Sequence, residues 1–288
     1  MQEGTVMDLY LKEVFGIIQD IHDHEKEHIL AAAHVMAEQI KKDRLIYIFG
    51  PGGHSNLAAM EIFFRAGGLM HVSAMLNQDT MLSCGALKSM QTERLPGFGR
   101  IIVNDYRIGE GDLLIVVNAY GINSATIDAA LQAKENGAVV IGVSSHEHAE
   151  NCPKDHPARH PSKKNLHEVA DYTVDCKVRL GDAVIELPGF EQKIGALSTF
   201  ANAYVLNSMV IETINILNNE GIKPPVWMSG TMVSNLVDGR YSHSRPISSA
   251  SKVMRSTAKP SGLSPLRFSN GGKSSDAATV SLPSLTNV

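Results

Sequence analysis

Residues 44–68 read RLIYIFGPGGHSNLAAMEIFFRAGG, and the fold is decided here. Leu45-Ile46-Tyr47-Ile48-Phe49 has the length and the β-branched and aromatic content of a buried strand. Gly50, Gly52 and Gly53 end the run, and Pro51 removes a backbone donor while fixing its own φ. His54-Ser55-Asn56 leads into Leu57 to Phe64, whose composition and spacing are helical. A strand, a glycine turn and a helix N-terminus bring backbone N–H groups together where an anion can bind. The same pattern also serves as an ordinary strand-to-helix turn of an α/β fold, and the stretch alone leaves both readings open.

On its N-terminal side, Leu9, Val14, Ile17, Ile18 and Ile21 recur at three and four, predicting a helix that ends near His22-Asp23-His24. A second helix is expected from about Glu25 to Lys42, with Ile29, Ala32, Ala33, Met36 and Ile40 inward. This pair, residues 1–43, is expected to dock on the core or on a second subunit. On the C-terminal side, Leu69 to Ala74 reads as a short strand, whereas Asn77 to Phe98 has weak periodicity and a break at Leu95-Pro96-Gly97. Glu93 stands there beside Arg94, as a surface ion pair or as a carboxylate facing a cleft.

The next unit is clearer. Leu113 to Val117 is a second buried-strand run, followed by Asn118-Ala119-Tyr120-Gly121-Ile122-Asn123-Ser124, rich in turn and capping residues. A helix from Ala125 to Asn136 stops at Gly137, and Ala138 to Val143 is the next strand, ending in Ser144-Ser145-His146. Strand, helix and strand with short links make a right-handed parallel βαβ unit. Ligands of such sheets bind beyond the carboxyl ends of the strands, so the loops Gly50 to Asn56, Asn118 to Ser124 and Ser144 to His148 should share one rim. Glu147 to Leu166 reads as a solvated or substrate-covering loop, Ala170 to Asp175 as a strand, and Gly181 to Glu186 as a turn with a short extended piece. Ser198-Thr199 is expected to cap a long apolar helix that ends at Asn218-Asn219-Glu220-Gly221. Residues 231–288 become Ser-rich with few large apolar side chains and are expected to be a disordered tail, because they cannot bury enough surface to offset their ordering entropy.

Composition excludes several classes. A hydrophobic fraction of 43% and a charged fraction of 19% over 288 residues are those of a globular protein, and a net charge of −4 gives no reason to expect nucleic acid or an anionic membrane as partner. No apolar run reaches membrane-spanning length, and Met1 to Gly4 lacks a signal-peptide pattern. The three scattered cysteines, Cys84, Cys152 and Cys176, read as reduced thiols of a cytoplasmic protein. His24 and His28 share a helical face with only solvated carboxylates nearby, and the spacing of His146, His148, His156 and His160 matches no familiar site, so no metal is expected.

Taken together, the turn Gly52-Gly53-His54-Ser55, the helix end Glu61 to Leu69, and the runs Glu93-Arg94-Leu95, Gly111-Asp112-Leu113 and Lys163-Lys164-Asn165-Leu166 resemble the SIS (sugar isomerase) domain, and within it the bacterial UPF0309 group. Glu168 to Asp171, Gly181-Asp182-Ala183, Ser198-Thr199 and Pro224-Pro225-Val226 extend the resemblance, which runs from about residue 5 to residue 230. It implies a three-layer α/β/α sandwich with a five-stranded parallel sheet in flavodoxin-like order, here preceded by the helical pair. It also implies a phosphosugar or related carbohydrate derivative as ligand, no cofactor, and a homodimer or larger assembly. Two departures stand out. SIS domains bear a Ser-x-Ser-Gly-x-Thr-like loop for the phosphate, where this chain has Asn118-Ala119-Tyr120-Gly121-Ile122-Asn123. The group's usual ending after Ser229 is replaced by Gly230-Thr231-Met232-Val233 and the Ser-rich tail.

Aldose–ketose isomerisation or a related elimination needs a base to move a proton beside a carbonyl and an acid to serve the oxygen. Glu61 is the first candidate base, or alternatively the ion-pair partner of Arg65; Glu93 is the second carboxylate. His54 serves ring opening, binds a hydroxyl, or caps the helix. Gly52, Gly53, Ser55, Asn118, Gly121, Asn123, Ser124, Ser144, Ser145, Ser198 and Thr199 are the candidate ligand-holding groups. The competing reading is a binding or regulatory module without turnover. No helix-turn-helix pattern precedes Arg44, which argues against a DNA-binding regulator.

Overall fold

The computed structural model describes residues 4–229; the segment 231–288 and the altered ending at Gly230 to Val233 lie outside them. Five parallel strands, β1 (Ile46–Phe49), β2 (Val72–Ala74), β3 (Leu113–Val117), β4 (Val139–Ser144) and β5 (Tyr172–Asp175), form one sheet in the order β2-β1-β3-β4-β5. Ile48 pairs with Ile115 and Ile115 with Ile141, so side chains of one parity stack across the sheet. Alternation at a period of two then sorts the apolar side chains between two faces. Ile46, Ile48, Leu113, Ile115, Val117, Ile141 and Val143 meet one helical layer, and Phe49, Leu114, Val116 and Val140 meet the other.

The first layer holds α1 (Val6–His24), α2 (Lys26–Lys41), α3 (Gly53–Glu61) and α9 (Ser198–Asn219). The helical pair therefore belongs to the same core as the sheet: Ile29, Ala32, Met36 and Ile40 are buried in it, as their spacing predicts. Leu9 does not join them and is 50% exposed, while its neighbour Tyr10 packs inward and donates its hydroxyl to the Ala196 carbonyl at 2.6 Å. The second layer is built from α5 (Phe98–Asp105), α6 (Ser124–Glu135) and α8 (Leu166–Val169).

Two expectations need correction and two gain detail. The helix after the glycine turn begins at Gly53 and stops at Glu61, short of Phe64, which takes a left-handed φ of +54° that no helix continues. The weakly periodic segment after Asn77 folds as two short 3-10 turns, Gln78–Thr80 and Leu82–Cys84, followed by α4 (Ala86–Glu93). The segment read as a loop after Ser145 opens with α7 (His146–Asn151), and its remainder wraps the buried Arg159. The Arg159 guanidinium donates to the carbonyls of Pro153, Ala149 and Cys152 and to Asn165 Oδ1, which gives this stretch an internal anchor. The extended piece at Gly181 to Glu186 contains β6 (Ala183–Ile185), which pairs antiparallel with β7 (Ile194–Ala196).

Candidate functional site

The three loops expected at one rim do meet there. Asn118, just past β3, donates its side-chain N–H groups to the Pro51 carbonyl at 3.2 Å and to Ser55 Oγ at 3.0 Å, tying the second loop to the glycine turn. Its Oδ1 accepts from the amides of Tyr120 at 3.2 Å and Gly121 at 2.9 Å. Gly121 has φ +62°, and a Cβ there would lie 2.7 Å from Ser144 Cβ, so the turn approaches the end of β4 at a distance only glycine permits. The amide of Ser145 donates to the Ala119 carbonyl, which brings in the third loop.

The segment after β2 delivers Glu93. The Thr80 carbonyl accepts from the Gly52 amide at 3.2 Å, from Asn56 Nδ2 at 2.7 Å and from Ser89 Oγ at 2.8 Å, so it holds α4 against the turn. Glu93, at the end of α4, sets Oε2 so close to Gly52 that a Cβ on that glycine would be 2.1 Å away, and Gly52 itself has φ +91°. Burial pushes the Glu93 carboxyl up to about 7, against the opposing pull of Arg94.

The same rim carries an aromatic group. Tyr120 stacks on His148 with ring centroids 4.2 Å apart and planes at 15°, and meets the edge of His54 at 5.0 Å. Burial lowers both imidazoles, His148 to about 4, so both are neutral at pH 7. His54 Nε2 and His148 Nδ1 are buried without a partner. Burial, with the charges of Asp182 and Glu93, raises the Tyr120 hydroxyl to about 12 and keeps it protonated.

The remaining candidates fall into two groups. Ser55, Asn118, Gly121, Ser144 and Ser145 are buried at the rim; Asn123 and Ser145 cap α6 and α7 by accepting from Thr126 N and His148 N. The hydroxyls of Ser124 and Thr126 are buried and unpartnered. Ser198 is engaged elsewhere: its amide and hydroxyl donate to the Asp182 carboxylate at 2.8 and 2.6 Å, and the Leu197 amide joins them at 2.9 Å. Leu197 is the residue at the cap position, and Asp182 does the capping expected of Ser198; Thr199 is exposed. Of the two readings of Glu61, the ion pair is present, with Arg65 at 3.4 Å, and Asn207 Nδ2 donates to it at 3.3 Å. At 1.5 Å of rise per residue, Glu61 stands about 12 Å along α3 from the turn.

Reading the sequence misses Tyr120 as a stacking partner, His148, Asp182 and Asn202. Asn202 is fully buried one turn into α9, on the face of Ser198, with neither side-chain polar atom partnered. Among the described residues no group of three or more His, Cys, Asp or Glu could hold a metal ion, no helix is long and apolar enough to cross a membrane, and the three cysteines are free.

Known proteins resemble this chain in sequence and in structure. The SIS domain profile matches residues 9–145. The UPF0309 protein of Caldanaerobacter subterraneus subsp. tengcongensis is 36% identical over 230 residues, which cover 79% of this chain and 92% of that protein. The UPF0309 protein of Geobacillus kaustophilus is 32% identical over 240 residues, covering 83% of this chain and 92% of that protein. Among solved structures, a phosphoheptose isomerase from Neisseria gonorrhoeae superposes with a TM-score of 0.48 at 13% identity, over 74% of this chain and 97% of that one.

Proposed function

This chain belongs to the UPF0309 group of SIS-domain proteins, and we propose that it binds a phosphosugar or related carbohydrate derivative at the rim and catalyses aldose–ketose isomerisation or a related proton transfer there. One observation carries the reading: the Glu93 carboxyl, pushed up to about 7, lies against Gly52 where α3 begins. Moving a proton between adjacent carbons requires a group that takes it and returns it near neutral pH, and a carboxyl with that affinity is half loaded there. Neutral His54 and His148 both contact the Tyr120 ring and suit the oxygen, since a neutral imidazole gives a hydrogen bond from one ring nitrogen and accepts one at the other. Glu93 thus takes the role that the sequence divides between Glu61 and Glu93. Assembly as a homodimer or larger belongs to the same reading, supported by exposed Met7, Leu11 and Phe15 along one face of α1.

The test is proton exchange with deuterated solvent at the carbon beside the carbonyl, followed by NMR over a panel of hexose and amino-sugar substrates with and without phosphate. Glu93→Gln should lower turnover by about 10²–10⁴-fold while leaving binding in place. Binding with no exchange across the panel would remove the enzyme reading in favour of a sensing module. That second reading draws support from Asn118, whose side chain is fully engaged within the rim where SIS proteins place a serine.

A further inference from the structure

We infer that Arg94 supplies the positive charge that holds the ligand's phosphate, an inference that rests on the rim being a phosphosugar site as proposed. Among the described residues, the lysines and arginines whose side chains make neither an ion pair nor a hydrogen bond are all exposed, with the exception of Arg94. Arg94 is half-buried, and its Nε is buried without a partner. The ion pair with Glu93 that the sequence leaves open does not form; Arg94 acts on that carboxyl only through space, against the upward push of burial. A guanidinium taken partly out of water with no anion beside it is a costly arrangement that a bound anion relieves.

The chain around Arg94 runs between two helix N-termini. On one side Glu93 Oε2 lies against Gly52, where α3 begins. On the other, the Gly97 amide donates to Asp128 Oδ2 at 2.5 Å, and a Cβ on Gly99 would lie 2.2 Å from the Ala125 carbonyl oxygen, so this segment packs on the first turn of α6. At most about 11 Å of chain separates Arg94 from Gly97. Both termini keep open donors: the amides of Gly53, His54 and Ser55 on α3, and those of Ser124 and Ala125 on α6. The Ser124 and Thr126 hydroxyls of α6 are also buried without partners. Since a carboxyl already lies at the α3 end, the α6 end suits a dianion better. Amides and hydroxyls bring only partial charges to it, and the two leading serines of the SIS phosphate loop are here Asn118 and Tyr120. A guanidinium adds a full charge and two parallel N–H donors that match a phosphate. Adjacent residues then serve the two ends of one ligand, Glu93 the reacting carbon and Arg94 the phosphate.

The experiment measures binding to the full chain by calorimetry for glucose, glucosamine and fructose, each against its 6-phosphate, in the wild type, Arg94→Gln and Arg94→Lys. In the wild type at least one 6-phosphate should bind about tenfold tighter or better than its parent sugar. Arg94→Gln should weaken that phosphate about 10–100-fold and leave the parent sugar within about twofold. Arg94→Lys keeps the charge and loses the paired donors, so it should recover only part of the loss, ending about three- to tenfold below the wild type. A wild type that prefers the parent sugars, or an Arg94→Gln variant that binds the phosphate undiminished, overturns the inference and leaves the carbohydrate site standing. Equal losses for both members of a pair overturn it as well, because they mark a merely structural role. No binding of any member by the wild type overturns the inference and the site together. Should Arg94→Gln fail to fold, Arg94→Lys decides: a loss confined to the phosphate supports the clamp, and unchanged affinity overturns it.

Discussion

Glu93→Gln removes a titrating group from the rim while keeping its shape, and its effect on stability depends on pH in a way the structure fixes. In the folded chain Glu93 holds its proton up to about pH 7, whereas its ordinary value is 4.5. Between these values the folded state binds more protons than the unfolded one, so this group's contribution to stability falls as pH rises and levels off above 7. At about 1.4 kcal/mol per tenfold in proton affinity the full cost is about 3 kcal/mol, an upper bound because the side chain is only partly buried. His148 acts in the opposite sense. It is pushed from 6.5 down to about 4, so the unfolded state binds more protons in that window and stability is lost as pH falls through it. In the wild type the two slopes nearly cancel between about pH 4.5 and 6.5. Glu93→Gln leaves the His148 slope uncompensated, so the variant should gain on the wild type by about 2.5 kcal/mol on going from pH 5 to pH 8. For a domain of this size that is about 5–10 °C in Tm, read by thermal unfolding of both proteins at several pH values. A Tm difference that stays constant across that range would mean Glu93 titrates as an ordinary carboxylate, and the proton-transfer role proposed for it would go too.

Two other substitutions probe how the site is held. Gly52→Ala places a methyl group 2.1 Å from Glu93 Oε2 at φ +91°, and should cost about 2–3 kcal/mol in urea unfolding and lower the apparent Glu93 pKa by moving the carboxyl outward. Arg159→Ala removes the four guanidinium hydrogen bonds that hold the segment between α7 and α8 together, and should cost about 3 kcal/mol and open cleavage by trypsin at Lys154, Lys163 or Lys164; an unchanged cleavage pattern would refute the anchoring role.

The contrast between what is legible in the sequence and what is not follows the length of each element and the reach of each contact. β1, β3 and β4 announce themselves because short, mostly apolar runs end at turn formers, and the rim follows from the parallel topology they impose. α7 spans six residues, under two turns, too few to set a period, so His148 is invisible as a partner of Tyr120 and that tyrosine reads only as a departure from the serine loop. Glu93 is ambiguous for the same reason of reach: its place at Gly52 depends on the Thr80 carbonyl gathering Gly52, Asn56 and Ser89, a junction of residues up to 37 positions apart that no local pattern encodes. Ser198 is misread because its hydroxyl answers to Asp182, 16 residues upstream. The same contacts explain the altered loop. Asn118 reaches back to Pro51 and Ser55 while holding the amides of its own turn, and Tyr120 lies between two imidazoles that are neutral because they are buried beside it. The two replaced positions are therefore coupled: Asn118 holds the amides of its own turn with its side-chain oxygen, and Tyr120, carried by that turn, sets an aromatic ring against His54 and His148. Because the two residues share one turn, the stability costs of Asn118→Ser and Tyr120→Ser should not add in the double variant, and strictly additive costs in urea unfolding would refute the coupling.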